Sequence, residues 1–139
     1  LTKVLYDMES RGVVIDTEYV ETAISKLERR KEQLEEEIYK LSDLEFNIRS
    51  TQEISGVFHK LGIHSNLFTA TGKESWGVAS LAQINHPLAG LIRQHRALSK
   101  LASTYLEPYL SKEILHTSFC NWGTLTGRLS SREHSKKPF

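Results

Sequence analysis

Residues 20–41 read VETAISKLERRKEQLEEEIYKL, and the spacing of their apolar positions decides the fold. Val20, Ile24, Leu27, Leu34, Ile38 and Leu41 recur in alternating steps of four and three, with Lys31 as the one polar position in the series. That alternation is a heptad seam along one face of an α-helix. Between the seam positions, Lys26 to Lys40 carries five acids and five bases, so the opposite face stays in water. Asp16 or Thr17 is placed to cap the helix, with Glu18 and Glu21 near its positive end. At a rise of about 1.5 Å per residue, a helix over residues 17–41 is roughly 37 Å long. It is expected to project as an arm and to bury its seam against a second helix, as core and not as a cofactor box.

Working outward, Val4, Leu5 and Met8 predict a short helix over residues 1–11 that stops at Gly12, and Val13-Val14-Ile15 reads as an extended, buried link. Beyond the arm, Ser50-Thr51-Gln52-Glu53 has the spacing of a capping box, opening a short helix with Ile54, Val57, Phe58 and Leu61 on its apolar face. Residues 63–74 read as a loop. Ser75 is expected to cap another short helix that Asn85-His86-Pro87 closes. The partner for the arm is then a helical repeat from Leu88 to Tyr109, whose other face carries Arg93, Arg96, Ser99, Lys100 and Ser103. Residues 114–119 and 124–131 predict short strands. The fold class is therefore mainly α: a long antiparallel helix pair with a small helical tip, plus short C-terminal β-strands.

Composition excludes several alternatives. The chain has 139 residues, 39% hydrophobic and 25% charged, which rules out a collagen, a disordered polyelectrolyte and a disulfide scaffold. One cysteine, Cys120, permits no internal disulfide, and six scattered histidines without HExxH spacing give no zinc motif, so no metal ligand is assigned. The histidines are expected to be surface or packing residues. No apolar run suits a membrane span and residues 1–20 lack signal-peptide order, so the expected location is intracellular. The net charge of +1 hides an asymmetry: residues 1–92 hold ten bases against fourteen acids (−4), residues 93–139 eight against three (+5). A basic C-terminal third is suited to a polyanion.

The segment TLTGRLSS, Thr124 to Ser131, resembles the TxTGRLSS motif of family A DNA polymerases, the bacterial polymerase I type. LYDMESRGVVID (5–16) resembles that family's L-x-x-ME-x-x-G-x-x-ID opening, and FNIRSTQEISGVFHKLGI (46–63) its FN-x-x-S-x-x-Q stretch leading to F-x-x-LG. His86-Pro87 and the run Arg96 to Tyr105 are similar to its HP and R-x-L-x-KL-x-STY elements. The resemblance implies a thumb-like helical region over residues 1–112, the start of the palm over 113–131, and a divergent tail at 132–139.

It further implies that the partner is double-stranded primer-template DNA, gripped through phosphates and the minor groove without regard to sequence. Arg96, Ser99 and Lys100 would act from one helix face, and Ser50, Lys73 and Ser75 from the tip. Arg128 and Ser131 of the motif would meet the duplex near the primer end. The same resemblance implies an association with the remainder of a polymerase and no catalytic residue or cofactor in this chain, while the lack of a long apolar run is what gives the expectation of no membrane. The magnesium ions of the family belong to a full-length parent, because its catalytic motifs lie downstream of TGRLSS, and this polypeptide is not expected to polymerise alone. The chain departs from the family pattern where Ser131 is followed by REHSKKPF instead of a PNLQNIP-like stretch, where Phe119-Cys120-Asn121-Trp122 replaces FNQ, and at Ser75-Trp76. A second reading, from a different class, is a helical-hairpin protein-interaction module without DNA function. Trp76 and Trp122 read as packing residues, and Ser130 and Ser131 as backbone-bonding groups and not nucleophiles.

Overall fold

The computed structural model describes residues 1–133. The elements in order are α1 (Thr2–Arg11), β1 (Val13–Val14), α2 (Thr17–Ser42), α3 (Thr51–Lys60), α4 (Val78–Gln83), α5 (Pro87–Lys100), β2 (Ile114–Leu115), β3 (Thr117–Cys120) and β4 (Ser130–Glu133). A π-helical turn (Leu101–Leu106) and a 3₁₀ turn (Glu107–Tyr109) follow α5. The architecture is mainly α with short antiparallel strands. It forms two compact units that are not consecutive in sequence, one made of Leu1–Glu21 with the chain from Pro108 onward, the other of Thr22–Glu107.

α2 starts in the first unit, where its cap predicts, with the amide of Tyr19 donating to Asp16 Oδ1 at 2.9 Å, and runs on into the second. Leu34 and Ile38 of the seam are fully buried, Ile24, Leu27 and Lys31 are half-buried, and Lys31 is paired with Glu28. Leu41 departs from the expectation and is 44% exposed. The chain turns there: Ser42 is buried, with its hydroxyl at the carbonyls of Tyr39 and Leu44, and Asp43 adopts the left-handed φ of 53°. The core then gathers Ile38, Ile48, Ile54, Phe58, Leu88 and Ile92 around the buried Trp76, which stacks on Phe58 at 4.9 Å. Burying side chains of this size stabilises by about 1.5–3 kcal/mol each, so this cluster is what fixes α2, α3, α4 and α5 against one another.

The tip departs from the sequence reading in two respects. Ser50 does cap α3, accepting from the Glu53 amide, but Glu53 reaches back to the amide of Asn47 and not to that of Ser50. Ser75 caps nothing. Its amide donates to Leu67 O at 2.7 Å and its carbonyl accepts from Ser65, and Trp76 beyond it is pinned in the core, so α4 begins later, behind Gly77.

The helix expected from Leu88 to Tyr109 is α-helical only to Lys100. The Ser103 hydroxyl donates to Ser99 O at 2.8 Å, taking the acceptor that an α-helical amide would use, and the backbone widens into the π turn. Pro108 lies within the 3₁₀ turn that ends the run, where its missing N–H removes a helical donor.

In the first unit β1 pairs with β2, Val13 opposite Leu115, and the amide of Ile15 donates to Glu113 O. The link is extended as expected but not buried, since Val13 is 64% and Val14 79% exposed in a two-stranded ribbon. The last turn of α1 is tied to this region by Glu9, whose carbonyl meets His116 Nδ1 and whose carboxylate accepts from the Phe119 amide. β4 pairs with β3, but only residues from 130 onward are strand. Residues 124–127 form a turn instead, with Gly127 at a φ of 73°. Trp122 packs on little: it is 83% exposed, correcting the packing expectation. Residues 134–139 of the divergent tail lie outside the described residues.

Candidate nucleic-acid interface

Arg96 follows from the register of α5. Leu88, Ala89, Ile92 and His95 take the buried face, leaving Arg93 and Lys100 exposed and Arg96 and Ser99 at the boundary. At that boundary the Arg96 guanidinium is half-buried and donates through one terminal nitrogen to Trp76 O at 2.6 Å and through Nε to Ile48 O at 3.4 Å. Burial lowers its pKa from the ordinary arginine value, although an arginine of this kind keeps its proton at any physiological pH. Arg96 thus fastens the α2–α3 connection and the tip loop to α5. From the preceding position of α5, on its buried face, His95 Nε2 meets Glu35 Oε1 of α2 at 2.8 Å.

One shallow groove brings together Arg49, Arg96, Ser99, Lys100, Ser103 and Thr104. Three cations and three hydroxyls line it, with no carboxylate among them. A neighbouring hollow that shares Arg96 and Lys100 adds Arg93. Among the described residues, nothing engages the exposed Lys100 ammonium, so its three donors are available. Arg49 was not anticipated from sequence; the available signal was its position immediately before the α3 cap, where a helix start presents unpaired amides.

The other expected residues are placed differently. Lys73 lines a separate hollow over α3 with Thr51, Gln52, Ser55 and Glu74. The Ser50 hydroxyl is spent on its cap, and the Ser75 backbone on the tip loop. Arg128 is exposed in the first unit, its carbonyl accepting from Thr124 Oγ1 at 2.7 Å, which holds the TLTGR turn closed. Ser131 is exposed on β4 opposite Phe119.

Beside Lys73 is an arrangement that sequence spacing did not reveal. Glu74 Oε2 lies 2.6 Å from His59 Nε2 and Glu74 Oε1 lies 3.1 Å from His64 Nδ1. The His59 hydrogen bond, more than that of His64, holds the Glu74 carboxyl below its usual range. Among the described residues, these three are the side-chain group whose donors lie close enough to share a metal ion, all within 4.8 Å of one another.

With this geometry in place, comparison with known proteins gives the class. The sequence pattern of DNA polymerase family A matches residues 17–135, and the chain belongs to that family. The thermostable DNA polymerase I of Thermus filiformis is 40% identical over 143 aligned residues, 96% of this chain and 17% of the relative. DNA polymerase I of Helicobacter pylori (strain ATCC 700392 / 26695) is 36% identical over 93% of this chain and 15% of its own length. The chain therefore spans about one-sixth of the curated relatives it matches. A solved structure, the POL domain of Pol1 from M. smegmatis in complex with DNA primer-template and dNTP, shares the fold over 99% of this chain and 26% of its own, with a TM-score of 0.77 at 23% identity.

Proposed function

We propose that this chain is the DNA-gripping thumb of a family A DNA polymerase, together with the start of its palm. It would hold duplex primer-template inside the cell through phosphate contacts that ignore base sequence. The observation that carries this reading is the acid-free groove of Arg49, Arg96 and Lys100 interleaved with Ser99, Ser103 and Thr104. Cations offset phosphate charge and hydroxyls fix register, whereas base reading needs donors and acceptors aimed at groove edges, usually from Asn, Gln, Glu or paired Arg. The Pol1 structure with primer-template lends support through the shared fold. Arg128, exposed beside a closed turn, is the residue of the TLTGRLSS segment suited to the duplex near the primer end.

Nucleotide addition belongs, on this reading, to the parent polymerase. Glu37 is paired with Arg30 on the outer face of α2 and Glu28 with the seam residue Lys31, an arrangement that does not fit a pair of magnesium ions held by convergent carboxylates. The test is fluorescence anisotropy of the chain with a primer-template duplex over a salt series. Three groove cations predict a log–log slope of about −2.7, and engagement of Arg93 as well brings it to about −3.6. Lys100→Ala is expected to lower the slope by about 0.9 and to weaken all sequences alike. Binding that is absent, salt-independent or strongly sequence-selective refutes the proposal.

A further inference from the structure

We propose that His59, His64 and Glu74 form a binding site for a divalent transition-metal ion of the zinc type. This inference does not depend on the DNA-binding reading. The ligands come from the last turn of α3, from the loop that follows it and from the returning arm of that loop, giving a His-x4-His-x9-Glu spacing that no metal motif announces. Two imidazole nitrogens and a carboxylate oxygen are a donor set suited to zinc and its neighbours, whereas magnesium and calcium prefer oxygen alone.

The geometry is close to what an ion needs. Metal bonds of about 2.0–2.2 Å in tetrahedral array put donors about 3.3–3.6 Å apart. Here the two carboxylate oxygens already lie 2.6 and 3.1 Å from the two rings, and the rings themselves stand 4.8 Å apart between centroids. All three donors lie within 4.8 Å of one another, so side-chain rotation at two exposed histidines and a half-buried Glu74 can bring them to one ion. The backbone beneath them is held: the edge of His59 packs on the buried Trp76, and Glu74 forms a backbone bridge with Phe68. Ser65 donates to Ser75 O at 2.7 Å, fixing the residue after Glu74. Three protein ligands leave a fourth position for water. A bound ion would clamp the tip loop onto α3 next to Lys73, so its presence sets the order of that loop.

The experiment is a titration of the metal-free 139-residue chain with Co²⁺, read by its visible absorption, followed by displacement with Zn²⁺ in a calorimeter. One ion per chain is expected, with no competition from equimolar Mg²⁺. Loss of a ligand exceeds the cost of losing a supporting partner, so His64→Ala and Glu74→Gln are each expected to weaken binding by on the order of 100-fold or more. Circular dichroism checks that both variants, one at an exposed and one at a half-buried loop side chain, remain folded, and His59→Ala supplies the third ligand test. His116→Ala and Cys120→Ser should leave the affinity unchanged. No binding, affinity unaffected by His64→Ala or Glu74→Gln, or loss on removing Cys120 or His116 each overturns the site.

Discussion

Arg96→Ala should separate a residue that both builds and displays the groove from one that only displays it. The guanidinium donates a 2.6 Å bond to Trp76 O, while its contact with Ile48 O is long at 3.4 Å. A hydrogen bond from a charged donor contributes about 1.5–3 kcal/mol, and truncation also strands the carbonyl left behind. Because Arg96 is only half-buried, water recovers part of that loss, and the weaker contact adds little. The net expectation is about 2 kcal/mol. With an unfolding entropy of about 2.1 cal/mol/K per residue, that corresponds to a drop in midpoint of about 7 °C for a chain of this length.

Lys100→Ala removes a charge that nothing in the described residues engages, so its stability change should stay within about 0.5 kcal/mol. Thermal unfolding followed by far-ultraviolet circular dichroism, run beside the salt-dependent anisotropy titration, reads both effects. Arg96→Ala should lose stability and DNA affinity together, Lys100→Ala affinity alone. Equal midpoints for Arg96→Ala and the parent chain would refute the structural role argued for this side chain.

Gly12→Ala forces a side chain onto a φ of +67° and puts its Cβ 2.6 Å from Ile114 Cγ2, whereas Gly62, at +71°, has open space. Urea unfolding should show a loss of about 2–3 kcal/mol for the first substitution and about 1 kcal/mol for Gly62→Ala. Tyr39→Phe deletes the hydroxyl that donates to Phe46 O at 3.1 Å and should cost about 1 kcal/mol at neutral pH. Burial first, then the charges of Glu35, Glu45 and Glu53, raise the Tyr39 pKa above 10.0, so the folded state holds this proton more tightly than the unfolded state does. That contribution is complete below the ordinary tyrosine value and is lost as pH rises through the raised one; urea midpoints across the alkaline range should show the loss in the parent and not in Tyr39→Phe. Phe58→Ala empties a fully buried position stacked on Trp76 and should cost about 3–5 kcal/mol by the same assay. Ser50→Ala removes the α3 cap and should cost about 1 kcal/mol, so any accompanying loss of DNA affinity must be compared with a stability-matched control.

Much of the framework was legible because it is written in near-neighbour spacing. Asp16, Ser50 and Gly12 mark element ends through atoms only a few residues away, and Leu34 and Ile38 declare a buried face by recurring at the helical period. Arg96, Ser99 and Lys100 share a face for the same reason, and the structure does bring them into one groove. Spacing failed where two local preferences compete. Ser75 has the chemistry of a cap, but the loop claims its backbone; Ser103 fits a helix, yet its hydroxyl displaces the α-helical bond.

The sequence by itself determined which segments become helices, where most of them begin, and the family to which the chain belongs, since periodicity, caps and motif order are properties of residues close along the chain. Only the tertiary structure decided that Arg96 anchors the carbonyls of residues 20 and 48 positions away, that Arg49 joins its groove, and that Glu74 settles between two histidines. The physical reason is that such hydrogen bonds depend on where the core places distant backbones, and the core forms from the summed burial of many side chains, none of which specifies the meeting alone.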